Sequence, residues 1–257
     1  MDKKDITVIL VTSVIPSHPE TYIVEETIKS IRHHLPDSEI ILQIDGLREE
    51  QSHRKEQYDE YKTRMLWKCL HEYTNITPII FDEYSHQSTM MKKTVEMIKT
   101  PLILYVEGDT PLVIDEPIDW DACISFIDSE MANTVRFYHE GVVPAEHDWL
   151  MMSIVGDFMQ TVQWSQRPHL SSFKYYKEMI LADIPDRTFI EDYMHGKAFE
   201  DYIIPWRERK SKDGWQKHKL WIYYPSKINS KRSYHLDGRQ GLKKYTDDDI
   251  SFGYEND

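Results

Sequence analysis

Cysteine is scarce in this chain of 257 residues, where only Cys69 and Cys123 occur. Two isolated thiols build neither a disulfide framework nor a cysteine-based metal site, so both are expected to be ordinary reduced thiols. Long hydrophobic runs are missing too. The longest apolar stretches, around Ile6 to Val11 and Leu102 to Val106, fall far short of the roughly 20 residues of a spanning helix. No transmembrane segment is therefore expected. The N-terminus, Met-Asp-Lys-Lys-Asp, runs straight into a strand-like segment without an apolar signal core, from which a cytoplasmic location is expected. Glycine is absent from Ser13-Val14-Ile15-Pro16-Ser17-His18-Pro19, so no glycine-rich phosphate loop follows the first strand.

What is present is the balance of a water-soluble globular protein, with 40% hydrophobic and 29% charged residues. The length suits a single domain over 1–257. The formal net charge of −13 is unevenly spread. Residues 205–244 carry 12 of the 31 Lys and Arg but only the acids Glu208, Asp213 and Asp237, so that window is +9 and the remainder −22. A basic segment on an acidic body suggests a local anion site, although a solvated basic face fits the same pattern.

The first half alternates apolar strands, at Ile6–Ser13, Glu39–Ile44, Thr77–Phe81 and Pro101–Val106, with helical stretches at Thr21–His34, Glu49–Tyr73 and Gln87–Lys99. This is the pattern of an α/β fold with a mostly parallel sheet flanked by crossover helices. From Trp120 onward the pattern becomes α+β, with a helix at Trp120–Ser129, strands at Asn133–His139 and Lys219–Tyr224, and a helix over Thr188–Tyr202. Three parts follow: a binding half over 1–110, a catalytic half over 111–204, and a basic tail over 205–257 that reads as a lid. In open α/β sheets ligands bind beyond the carboxyl ends of the strands, and functional residues are expected there.

The strongest motif is Leu102-Ile103-Leu104-Tyr105-Val106-Glu107-Gly108-Asp109-Thr110, an apolar strand ending in two carboxylates one residue apart. Such a pair suits Mg²⁺ or Mn²⁺, hard cations that bridge one or two carboxylates to substrate phosphates. Gly108 allows close backbone approach. A second acidic pair, Glu191-Asp192, opens the helix after Thr188, where acids also simply complement the helix dipole. Trp164-Ser165-Gln166-Arg167-Pro168-His169 concentrates polar and aromatic side chains that can stack on sugars, or equally anchor the core.

These segments resemble the GT-A glycosyltransferases, especially the family 2-like inverting enzymes. Glu107-Gly108-Asp109 is similar to their Asp-x-Asp metal motif, with Glu in the first position, and the resemblance covers residues 6–110 best. It implies a GT-A fold and the transfer of a sugar from a nucleotide-sugar donor, favouring a UDP-sugar, to an acceptor hydroxyl with inversion. The metal, Mn²⁺ or Mg²⁺, would lie on Asp109 and Glu107, with His235 as a C-terminal ligand or else a surface histidine. Thr12, Ser13, Asp45, Lys92 and Glu107 would bind the donor; Asp45 stands in Asp45-Gly46, itself a turn signal. Arg239 and Lys243 would close over its diphosphate. Asp192 is favoured over Glu191 as catalytic base, and Trp164, Arg167 and His169 would contact the acceptor. That acceptor is a saccharide, a lipid-linked glycan, a protein or a modified nucleic-acid base. The alternatives are a nucleotidyltransferase of related fold, disfavoured by the missing phosphate loop, and a non-catalytic binding protein.

Overall fold

The computed structural model of the protein describes residues 1–204 and 213–236. Strands β1 (Ile6–Thr12), β2 (Ile40–Ile44), β3 (Ile76–Ile80) and β4 (Leu102–Glu107) alternate with helices α1 (Tyr22–His34), α2 (Lys55–His71) and α3 (His86–Thr94). Every residue of β1 and β2 is buried, as expected of parallel strands covered on both faces. In α1, Ile23, Val24, Thr27, Ile28 and Ile31 form the buried stripe, and Arg32, His33 and His34 complement the dipole in its last turn.

The second half adds α4 (Trp120–Asp128), β5 (Thr134–Phe137), β6 (Met151–Val155), β7 (Phe158–Thr161) and β8 (His169–Ser172). It continues with α5 (Phe173–Tyr175), α6 (Ile190–Ala198), α7 (Asp213–His218) and β9 (Leu220–Tyr223). Among the described residues nine strands form one sheet in the order β3-β2-β1-β4-β8-β5-β9-β7-β6. Only β7 and β8 run against the other strands, so the sheet is mostly parallel, as expected.

The two-residue period of the strands divides the core into layers. Leu10, Leu42, Leu104 and Val106 face α1, α2 and α4 through Ile28, Tyr61 and Ile124. Ile9, Ile41, Ile103 and Tyr105 face α3 and α6 through Met90, Met91, Ile190 and Met194. Cys69 and Cys123 are free, buried thiols. No helix among the described residues is long and apolar enough to cross a membrane.

The structure refines the expected elements in three places. The helix expected from Glu49 opens as a 3₁₀ segment over Glu49–Arg54 before α2. The aromatic-rich stretch before Gln166 contains the β6–β7 hairpin, whose turn places Gly156 at φ +56°, a conformation glycine adopts at no steric cost. Finally β8, which the sequence pattern does not announce, inserts antiparallel between β4 and β5.

Candidate active site at the carboxyl end of β4

The acidic motif leaves β4 locked to its neighbours. Gly108 N donates to Val11 O at 2.8 Å, and Thr27 Oγ1 donates to Gly108 O at 2.7 Å. A Cβ at Gly108 would stand 2.7 Å from Thr12 Cγ2, so the close approach to β1 requires glycine. Beyond it, residues 232–236 return as a strap: Val113 N donates to Arg232 O at 3.0 Å, Tyr234 N to Pro111 O at 3.1 Å and Leu236 N to Asp109 O at 2.8 Å. The strap brings His235 Nε2 to 3.1 Å from Asp109 Oδ2. Both side chains are partly exposed.

Glu107 is half-buried and held by Gln87, whose Nε2 donates to Oε1 at 2.7 Å. Burial and then the Asp109 carboxylate push its pKa up to about 8; Arg167 opposes the rise and Glu191 adds to it. Gln87 Oε1 also accepts the amide of Ile190 at 3.3 Å. One side chain thus spans the tip of β4 and the start of α6. Beside it, Ser88 Oγ donates to Pro185 O at 2.9 Å and accepts Thr188 N at 2.8 Å. Lys92, expected at the donor, is drawn into this seam, with Nζ 2.6 Å from Ile184 O and 2.7 Å from Asp186 Oδ1. Gln87 escaped the sequence reading because an amide inside a helical stretch carries no motif.

The acidic pair divides its tasks. Glu191 Oε2 accepts Gln166 N at 3.1 Å, which ties α6 to the segment before β8. Asp192 is exposed and makes no hydrogen bond or ion pair among the described residues. Its charge is felt at His86, whose pKa burial lowers. Of the expected acceptor contacts, Arg167 is half-buried near Glu107, whereas Trp164 and His169 are enclosed in the core, 2% and 0% exposed. His169 stacks on Tyr105 and exchanges a hydrogen bond with Tyr176 Oη at 2.9 Å. Trp164 and His169 thus sit in the core, and of the three expected acceptor contacts only Arg167 is partly open to solvent.

On the donor side Thr12 is buried with its hydroxyl on Gln43 O at 3.2 Å, and Ser13 is exposed at the end of β1. Asp45 is 2% exposed, and its carboxylate accepts the amides of Gly46 and Ser85, each at 2.8 Å, and of His86 at 3.0 Å. Burial raises its pKa against the pull of those amides. Both oxygens are thus engaged in fixing the entry to α3, the turn role that an Asp-Gly pair also suggests. Gly46 is required there, because a Cβ would overlap the Glu83 backbone carbonyl. Arg239 and Lys243 lie outside the described residues, as do residues 205–212 and 237–257 of the basic tail proposed as a lid.

Among the described residues no three His, Cys, Asp or Glu side chains converge on one cation position. Asp109 and His235 do supply one carboxylate oxygen and one imidazole nitrogen facing each other, a donor pair that fits Mn²⁺. Remaining coordination positions in such sites are commonly taken by substrate phosphates and water.

No family model matches the chain. No curated protein matches it in sequence. Its fold resembles solved structures at low identity. The crystal structure of GalNAc-T7 with UDP, GalNAc and Mn²⁺ superposes with a TM-score of 0.50 at 12% identity, over 92% of this chain and 45% of that one. TarS 1–349 of S. aureus in complex with UDP-GlcNAc gives a TM-score of 0.45 at 12% identity, over 89% of this chain and 58% of that one. The chain thus spans little more than half the length of that TarS fragment and less than half of GalNAc-T7. The protein has the GT-A fold of nucleotide-diphospho-sugar transferases.

Proposed function

We propose that the protein is a metal-assisted glycosyltransferase that moves a sugar from a nucleoside-diphosphate donor, favouring UDP, to an acceptor hydroxyl with inversion. The observation that carries this reading is the meeting of Asp109 and His235 beyond β4, at the sheet edge to which Gln87 also ties the acidic start of α6. The GT-A fold, which in GalNAc-T7 accommodates UDP and Mn²⁺, supports it. Asp109 and His235 would hold the cation, with Glu107 close by. When bound, the cation would supply Lewis-acid stabilisation to the departing diphosphate.

The remaining roles fall to the chain's own groups. Asp192, exposed and unbonded, would accept the proton of the acceptor hydroxyl as that oxygen forms its bond to the anomeric carbon. The bond from that carbon to the diphosphate oxygen breaks, and its electron pair leaves with the nucleoside diphosphate. Glu191, spent on Gln166 N, would keep α6 in register instead of taking the proton. Asp45 would act through the loop it anchors, and Ser13 would face the donor directly. Outside the described residues, Arg239 and Lys243 would neutralise diphosphate charge. The acceptor is drawn from hydroxyl-bearing saccharides, lipid-linked glycans, proteins or modified nucleic-acid bases.

The test is a thermal-shift screen of nucleotide sugars with Mn²⁺, Mg²⁺ or EDTA, because a ligand that prefers the folded state raises apparent stability. Stabilisation by a UDP-sugar that EDTA abolishes, followed by metal-dependent release of UDP, is the expected result. No response to any nucleotide sugar would refute the reading.

A further inference from the structure

Arg136, on β5, is 3% exposed. Its Nη2 donates to Gln163 Oε1 at 3.0 Å, while Nε is buried with no hydrogen-bond partner. Among the described residues it forms no ion pair. A buried guanidinium left in this state is costly, and proteins retain such groups where a counter-charge arrives. The nearby acids Glu191 and Glu140 act on its charge without pairing with it: Glu191 Oε2 accepts Gln166 N at 3.1 Å, and Glu140 Oε2 accepts Tyr138 Oη at 2.9 Å.

Two further groups face the same place. Sheet register sets Arg136 and Tyr105 opposite His169 from its two sides, so Arg167, two residues earlier, falls between the ends of β4 and β5. Its guanidinium makes no hydrogen bond or ion pair among the described residues. His139, just past β5, has a buried Nδ1 without a partner, and its Nε2 is 3.5 Å from Glu140 Oε1. Burial and then the charges of Arg167 and Arg136 hold its pKa at about 2, so it is a neutral imidazole. Lys231 and His147 also lie near enough to act on it. This cluster is on the β8–β5 side of β4, whereas Gly108, which precedes Asp109, is bonded to β1 on the other side. Arg167 also acts on Glu107, while Arg136 Nε and His139 Nδ1 stay without partners and are left for a second anion.

The geometry points to an anion subsite on the acceptor side, in which Arg136 Nε, Arg167 and His139 receive a phosphate or carboxylate group carried by the acceptor. Planar guanidinium forks match either group with two parallel hydrogen bonds. The word acceptor rests on the glycosyltransferase reading; the anion site itself does not.

The experiment uses the full chain with saturating UDP and Mg²⁺, at ionic strength fixed with KCl. Methyl phosphate and, separately, acetate are titrated while the Arg136 Nε–Hε NMR signal is followed. A saturable shift is expected, and the anion that binds tighter names the source. Arg167→Gln should weaken it by at least about tenfold, the scale of a lost charge-assisted pair, and Lys174→Gln, which removes an exposed charge just past β8, at the opposite edge of the sheet, should leave it within about twofold. Circular dichroism checks that both variants fold. No shift beyond that of KCl with either anion, or equal weakening by both variants, would overturn the proposal. UDP binding is measured in the same samples; its absence would refute the transferase reading while the Arg136 titration still decides the anion site.

Discussion

Gln87 and Glu107 are joined by one hydrogen bond of 2.7 Å, and the other end of the same amide accepts Ile190 N at 3.3 Å. The carboxylate motif and the acidic helix start therefore keep a fixed separation. Gln87→Ala would strip partners from both, at a cost of about 1–3 kcal/mol for buried groups left unsatisfied. Turnover should fall more than affinity for UDP, because the amide spans the two acidic segments and would reach the donor only through Glu107. Steady-state kinetics with calorimetric UDP binding would check this; unchanged turnover would deny Gln87 a positioning role.

Removing Asp109 or His235 should act through the cation. Activity in EDTA is expected to vanish and to return with Mn²⁺. In His235→Ala the Mn²⁺ concentration for half-maximal activity should rise at least about tenfold, the scale on which lost groups at a metal site weaken affinity. Asp109→Asn should abolish transfer in a folded protein. A manganese titration of each variant distinguishes these outcomes.

The acidic pair should separate by substitution. Asp192→Asn removes the exposed carboxylate and is expected to lower kcat about 10²–10⁴-fold, the usual contribution of a positioned base, with UDP affinity unchanged. Glu191→Gln keeps an oxygen for Gln166 N and should change kcat far less. A larger loss in Glu191→Gln would reverse the assignment. So would a product that keeps the donor's anomeric configuration.

Gly46→Ala is predicted to destabilise the fold by about 1–3 kcal/mol, the range for overpacking, because its Cβ would overlap the Glu83 backbone. Gly196→Ala, with nothing within 4 Å, is the matched control on an open helix surface. Urea unfolding of the two variants would show the difference.

Acid should weaken the protein through its buried histidines. His18 stacks against both Tyr58 and Tyr61, and burial, with a smaller push from Arg54, lowers its pKa to about 3. In the unfolded chain an ordinary histidine titrates near 6.5, so between those values the unfolded state binds the extra proton. Stability present above pH 6.5 is therefore lost as pH falls toward about 3. Denaturant midpoints measured across that window should drop less steeply in His18→Gln, and identical slopes would exclude His18 as a source.

The first half of the fold was legible because its chemistry is uniform: Ile6–Thr12 and Ile40–Ile44 are apolar throughout and buried throughout. The acidic motif was legible for the complementary reason, since Glu107 and Asp109 interrupt an apolar run. By contrast β8 hides in His-Leu-Ser-Ser, where polarity suggests a loop. Its polar side chains are buried yet satisfied, Ser171 Oγ by Asn133 O at 2.9 Å and His169 by Tyr176. Arg136 was equally invisible, because a single cation in a strand ordinarily marks the solvent side. The resemblance implies Lys92 and Asp45 as donor contacts, but their partners, Asp186 and the amides of Ser85 and His86, come from segments whose approach no local pattern encodes.

The strap that carries His235 to Asp109 closes a contact between residues 126 positions apart. It docks on Pro111 and Tyr138, and so on both sides of the β4–β8–β5 junction. Contacts of such separation form late, since closing a long loop costs entropy before any contact repays it. On the ribosome, the strands β1 to β4 emerge well before their histidine. The acidic end of β4 acquires its imidazole only once residues 232–236 have been synthesised, so maturation of the site waits on the strap.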